Sequence, residues 1–315
     1  MSASRSTVRY HLILLLTAIA LTAASIAGAA SASAAYPGRD GRLSFTRANQ
    51  VYSINSDGSG VKKLTSSAKN YWARWAPNGN RIAFVHETAS GSKDIWVMRA
   101  NGTHKQQVTH LGSVTAPTWS PDGRWIAFGS PLQKVRSAAP FGAPVAILGD
   151  EGDGPESLEV EPGGSVAWSA DGQHIAYYSN SYPDSPDHYL LVLNTASGQV
   201  TEHNSVGGSC CGEGDFGDLA WSADGARLAY TDTSYCPECG EPPSPGHVFI
   251  ETYPDLEDLY ANVAHDKQPA FSPSGEYVAV ANSATRTLRI FITRPDGSQR
   301  HLLTNGYQPD WQPLH

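Results

Sequence analysis

Trp119–Phe128 reads WSPDGRWIAF, and the same ten-residue phrase returns along the chain as WAPNGNRIAF from Trp75, WSADGQHIAY from Trp168, WSADGARLAY from Trp221 and FSPSGEYVAV from Phe271. Five copies are too many for chance. Each copy has the form of a strand end, a tight turn and an apolar second strand. The turn pairs Asp, Asn or Ser with Gly, which accepts a positive φ without steric cost. Each copy is therefore predicted to be a hairpin. A second hairpin follows several copies, as in DIWVMRANGTHKQQVT from Asp94, RIFITRPDGSQRHLLT from Arg289 and QVYSINSDGSGVKKLT from Gln50. Two hairpins make a four-stranded antiparallel sheet, the size of one propeller blade.

The ends of the chain complement each other. The phrase at Trp311, YQPDWQPLH, stops after its first strand, whereas GRLSF from Gly41 begins as a second strand without a first. Pairing them completes one blade and removes two exposed sheet edges. The fold class is thus all-β: a six-bladed β-propeller of four-stranded antiparallel blades, closed by the C-terminal strand joining the N-terminal blade. Composition agrees, since 30 Gly and 21 Pro in 315 residues disfavour long helices. The aromatic content of 10% with only 17% charged residues excludes a disordered chain.

These repeats resemble the TolB-type propeller repeat, in which a W-S-P-D-G core recurs once per blade. The resemblance covers roughly residues 41–313 and implies fold rather than function. TolB carries an α/β domain before its propeller, and here only Ala35–Asp40 separate the expected cleavage point from the first strand. That expectation rests on Arg5 and Arg9, an apolar run from Leu12 to about Ala30, and the small residues Ala32-Ser33-Ala34. Residues 1–34 are read as a signal peptide and 35–315 as the propeller. The product is placed outside the cytoplasmic membrane, secreted or in the cell envelope, with no membrane span after signal removal.

Repetition argues for structure, and departures from it argue for function. The recurring Trp is expected to pack between blades, and Asp122, Asp171 and Asp224 to bond their own turns. The residues just before each anchor are Arg74, Thr118, Ala167, Ala220, Ala270 and Asp310. Only two are charged, and Arg74 and Asp310 are predicted to form an ion pair across neighbouring blades. Two positions earlier stand Trp72, Ala116, Ser165, Asp218, Gln268 and Gln308, flanked by Tyr71, Lys267 and Tyr307. Tyr71, Trp72, Arg74, Asp218, Lys267, Gln268, Tyr307, Gln308 and Asp310 are the candidate ligand-binding residues at the channel mouth.

Cys210, Cys211, Cys236 and Cys239 form two close pairs, and an even count in an exported chain favours disulfides between the pairs. A four-thiolate zinc site is the alternative. The formal charge of −8 hides an asymmetry: residues 1–136 carry +11, 137–266 carry −21 and 267–315 carry +2. The acidic sector repels nucleic acid and suits a basic protein or peptide surface, or weakly held Ca²⁺. No G-x-S-x-G or H-E-x-x-H motif occurs. None of the 11 His falls on a predicted first strand, and His110, His203 and His265 are assigned to exposed connections. The sequence therefore predicts a monomeric, non-catalytic binding propeller without cofactor. The other reading is a small hydrolase or lyase at the channel mouth, with Ca²⁺.

Overall fold

The structure, a computed structural model, describes residues 37–114, 116–129, 133–136, 146–147, 166–179, 188–206, 216–233, 245–254 and 263–315. Blade I opens with β1 (Arg39–Arg47), β2 (Gln50–Ile54) and β3 (Lys62–Lys63). Blade II is β4 (Lys69–Trp75), β5 (Arg81–Glu87), β6 (Lys93–Arg99) and β7 (Gln106–Gln107). Blade III is β8 (Thr118–Trp119), β9 (Trp125–Phe128), β10 (Gln133–Arg136) and β11 (Ala146–Ile147). Blade IV is β12 (Val166–Trp168), β13 (His174–Ser179), β14 (His188–Asn194) and β15 (Val200–Val206). Blade V is β16 (Phe216–Trp221), β17 (Arg227–Asp232) and β18 (His247–Thr252). Blade VI is β19 (Asp266–Phe271), β20 (Val278–Asn282), β21 (Arg289–Thr293) and β22 (His301–Asn305), after which β23 (Tyr307–Leu314) returns to blade I.

The chain is thus an all-β propeller of small antiparallel sheets. Five sheets have four strands, and blade V has three among the described residues. Six complete four-stranded blades were expected; the stretch where the fourth strand of blade V would run, 255–262, lies outside the described residues. Closure occurs where the complementary ends predicted it, because β23 pairs antiparallel with β1, setting Arg39 opposite Leu314 and Leu43 opposite Trp311.

Each repeated residue type has a local reason. In the turns, Arg124 N and Gln173 N donate to Asp122 Oδ1 and Asp171 Oδ1, both at 2.9 Å, and Ala226 N donates to Asp224 Oδ1 at 3.1 Å. The Ser after the anchor closes the same turn: Trp125 N, His174 N and Arg227 N donate to Ser120, Ser169 and Ser222 Oγ, each at 2.9 Å. These Asp residues therefore serve their turns, as expected. The small residue of the second strand sits opposite the position before each anchor, in the pairs Arg74–Ala83, Thr118–Ala127, Ala167–Ala176, Ala220–Ala229 and Ala270–Ala279. All five of these second-strand alanines are 0% exposed, so any larger side chain would be overpacked there.

The cores lie between blades. Val51 and Leu64 of blade I pack on Trp75, Phe84 and Met98 of blade II, and Leu43, Phe45 and Trp311 pack on Ala279, Ile290 and Ile292 of blade VI. Separate clusters fill the remaining junctions. The anchor indoles add a directional bond to this burial: Trp119, Trp221 and Trp311 Nε1 donate across the junction to the carbonyls of Arg74, Ala167 and Ala270 at 2.9, 3.0 and 3.2 Å. Trp168 differs, donating to Gly172 O within its own turn at 3.2 Å.

Candidate functional site

The first strands of the blades surround the axis, and the six residues that precede the anchors all line one cavity of about 90 Å³ there. Four of these six residues are small and neutral, and charge enters from blades I and II through Asp310 and Arg74. Burial pushes the Asp310 carboxyl up to about 6, against the opposing pull of Arg74 and the Trp75 amide. Asp218 is raised in the same way by burial, with Arg74, Thr231, Lys267 and Gln268 opposing.

The expected Arg74–Asp310 ion pair does not form. Asp310 Oδ2 instead accepts Trp75 N at 2.6 Å, and no direct ion pair involves Arg74 among the described residues. The reason is geometric. Both residues precede an anchor, and at that register the side chain of one blade reaches the anchor amide of the next, as Thr118 Oγ1 also does for Trp168 N at 3.1 Å. The guanidinium acts on Asp310 and Asp218 as a nearby charge only.

Two positions earlier, the first strands slip register. Bulges fall between Tyr71 and Arg74, Gly217 and Ala220, and Lys267 and Ala270. Trp72, Asp218, Gln268 and Gln308 there have φ of 51°, 52°, 57° and 55°, a left-handed conformation that non-glycine residues adopt at a cost. The turned backbone offers its N–H sideways to the preceding blade. Trp72 N donates to Gln308 Oε1 at 3.0 Å, Gln308 N to Gln268 Oε1 at 2.8 Å, and Gln268 N to Thr231 Oγ1 at 3.1 Å. Thr231 Oγ1 in turn donates to Asp218 Oδ2 at 3.4 Å. A belt of hydrogen bonds therefore runs from blade V through VI and I to II.

Of the nine candidate residues, the cavity brings together Arg74 and Asp310, and Asp218 acts within electrostatic reach of Arg74. Trp72, Gln268 and Gln308 belong to the inter-blade belt. The Tyr71 hydroxyl donates to Glu87 Oε2 at 2.6 Å, and burial first and this bond second push its pKa up, while Tyr307 Oη donates to Asn49 Oδ1 at 3.2 Å. Lys267 lies near Asp218. One assignment is corrected outright: His203 lies on β15, not in a connection. Its ring is 3% exposed and Nε2 meets Glu251 Oε2 at 3.1 Å, while Tyr230 Oη donates to Glu251 Oε1 at 2.7 Å. Sequence reading missed that cluster because β15 lacks an apolar alternation. Among the described residues no group of three His, Cys, Asp or Glu able to hold a metal ion is brought together, and no helix is long and apolar enough to cross a membrane. The signal segment 1–34, Ser165, the four Cys and the acidic stretches from Asp150 and Cys210 lie outside the described residues.

No family model matches the chain. Its fold is similar to that of TolB from Acinetobacter baumannii, with a TM-score of 0.67 and 20% identity over 87% of this chain and 67% of that one. A 77-residue segment is 40% identical to the Tol-Pal system protein TolB of Geobacter sulfurreducens, covering 24% of this chain and 17% of the relative. The uncharacterized peptidase YuxL of Bacillus subtilis is 24% identical over 193 residues, 60% of this chain. The chain spans only 25% of that relative's length. The molecule is a TolB-like β-propeller.

Proposed function

We propose that this chain is an exported, non-catalytic binding propeller of the cell envelope or extracellular space, which docks a protein or peptide on the channel face. The observation that carries the reading is the hydrogen-bond belt. Gln268, Gln308 and Thr231 hold neighbouring blades together, and Thr118 and Asp310 tie anchor amides. Their polar atoms serve the rigidity of the ring, and a rigid ring displaying loops suits recognition more than it suits acid–base chemistry. Export is supported by the arginine-flanked apolar segment before Ala34, and the acidic sector favours a partner with a basic surface.

Affinity capture from envelope extracts of the native host tests the reading. A specific partner is expected with the wild type, and it is expected to be lost when Lys267 and Tyr307 are both replaced by Ala. Release of the N-terminal segment after Ala34 should appear in the intact mass. Non-reducing peptide maps should join peptides holding Cys210 and Cys211 to those holding Cys236 and Cys239. Hydrolysis of esters or lactones by the purified protein, abolished by Asp218→Asn, would replace docking with the enzymatic reading.

A further inference from the structure

Donors and acceptors on the channel wall do not balance. The acceptors of the cavity wall are engaged by neutral groups: Asp310 Oδ2 by Trp75 N and Thr118 Oγ1 by Trp168 N. The donors are not. Arg74 makes one long bond, from Nη1 to its neighbour Ala73 O at 3.4 Å. Trp75, which lines the same cavity, is 3% exposed, and its Nε1 has no hydrogen-bond partner. Trp119, Trp221 and Trp311 show what that indole does elsewhere, donating to a carbonyl of the preceding blade. Among the described residues, blade II thus presents, side by side in sequence, a guanidinium with one long hydrogen bond and a buried indole N–H with no acceptor. An unmet buried donor is costly, and a guanidinium matches an oxyanion in shape and charge.

Size narrows the ligand. A cavity of about 90 Å³ holds roughly six to nine water-sized bodies at 10–15 Å³ each. Drug-sized ligands occupy several hundred Å³, so one side chain, one chain end or a short acid fits. We propose that the channel binds a carboxylate carried on a small body, with Arg74 as its cationic partner. The inference rests on the reading of the channel face as a binding surface. Asp310 makes the binding depend on pH. Arg74 on β4 is the charged group acting on it; Ser44 of β1 lies opposite, and Ala270 holds the equivalent position on β19. A ligand carboxylate beside Asp310 favours its protonated form, so binding strengthens as pH falls through about 6.

Titration of the purified protein with propionate, with Ala-Ala-Ala and with the C-terminal amide of Ala-Ala-Ala tests this, read by the ¹⁵N-labelled indole signals of the 8 Trp and by calorimetry. The Trp75 signal, assigned through Trp75→Phe, should move on adding either carboxylate. Removing the charge in Arg74→Gln should weaken both about ten- to hundred-fold, with partial recovery in Arg74→Lys. Asp310→Asn should abolish the gain in affinity between pH 7 and 5. Tighter binding of the tripeptide than of propionate, with the amide weak, identifies the chain end of a partner. The opposite order identifies a free small acid. Absence of saturable binding by either carboxylate, or binding unchanged in an Arg74→Gln protein that melts like the wild type, overturns the proposal. An envelope partner still captured by Arg74→Gln leaves docking intact while the carboxylate assignment falls; carboxylate binding without any captured partner does the reverse.

Discussion

Trp75 and Trp119 occupy the same place in successive blades, yet their indoles face different circumstances. Trp119 Nε1 donates to Arg74 O at 2.9 Å, whereas Trp75 Nε1 is buried without a partner. Trading indole for benzyl at Trp119 removes a satisfied bond along with ring area; at Trp75 it removes an orphaned donor. Trp75→Phe is therefore expected to cost less stability than Trp119→Phe, by about 1 kcal/mol, in paired urea-unfolding curves. The anchors and turns were legible because Trp, Ser, Asp and Gly each do one local job, and the five copies of the repeat display it again and again. Arg74 and Asp310 were legible as exceptions. Their geometry was not, since whether a carboxylate meets a guanidinium or a backbone amide depends on how far one blade is rotated against the next.

The first strands carry the least legible feature of the fold. Nothing in the side chains of Trp72, Gln268 or Gln308 announces a left-handed φ, and an alternating strand pattern assigns them to regular pairing. The bulge is a tertiary device: it turns N–H groups toward the neighbouring blade, and a regular strand would instead project those side chains toward the axis as ligand groups. Gln308 is the central link, since its Oε1 accepts both Trp72 N and Thr46 Oγ1, each at 3.0 Å. Gln308→Leu keeps the volume and strands both donors, at an expected cost of about 2–4 kcal/mol for two buried unmet groups. Thermal unfolding with hydrogen exchange at Trp72 measures it. A cost below about 0.5 kcal/mol, the range of neutral surface changes, would show that the belt is incidental.

Across the whole ring, the charged channel has a thermodynamic signature. Asp310 has an ordinary value of 3.8 and a folded value of about 6, so between those pH values the folded state holds a proton that the unfolded chain has released. Stability from this group is therefore greatest near pH 4, falls as pH rises to about 6 and is flat above it. Asp310→Asn, neutral throughout, should gain stability relative to the wild type across that interval; parallel unfolding midpoints in the two proteins would refute the shift. The pairing of β1 with β23 has a separate consequence. Because Arg39 and Leu314 lie opposite each other in one sheet, the point on the ring at which the chain starts and stops is arbitrary so far as the folded ring is concerned. A circular permutant that joins these two residues through a short glycine linker, and is opened instead in the exposed turn at Gly198, should fold to the same ring, with near-wild-type melting and far-UV dichroism.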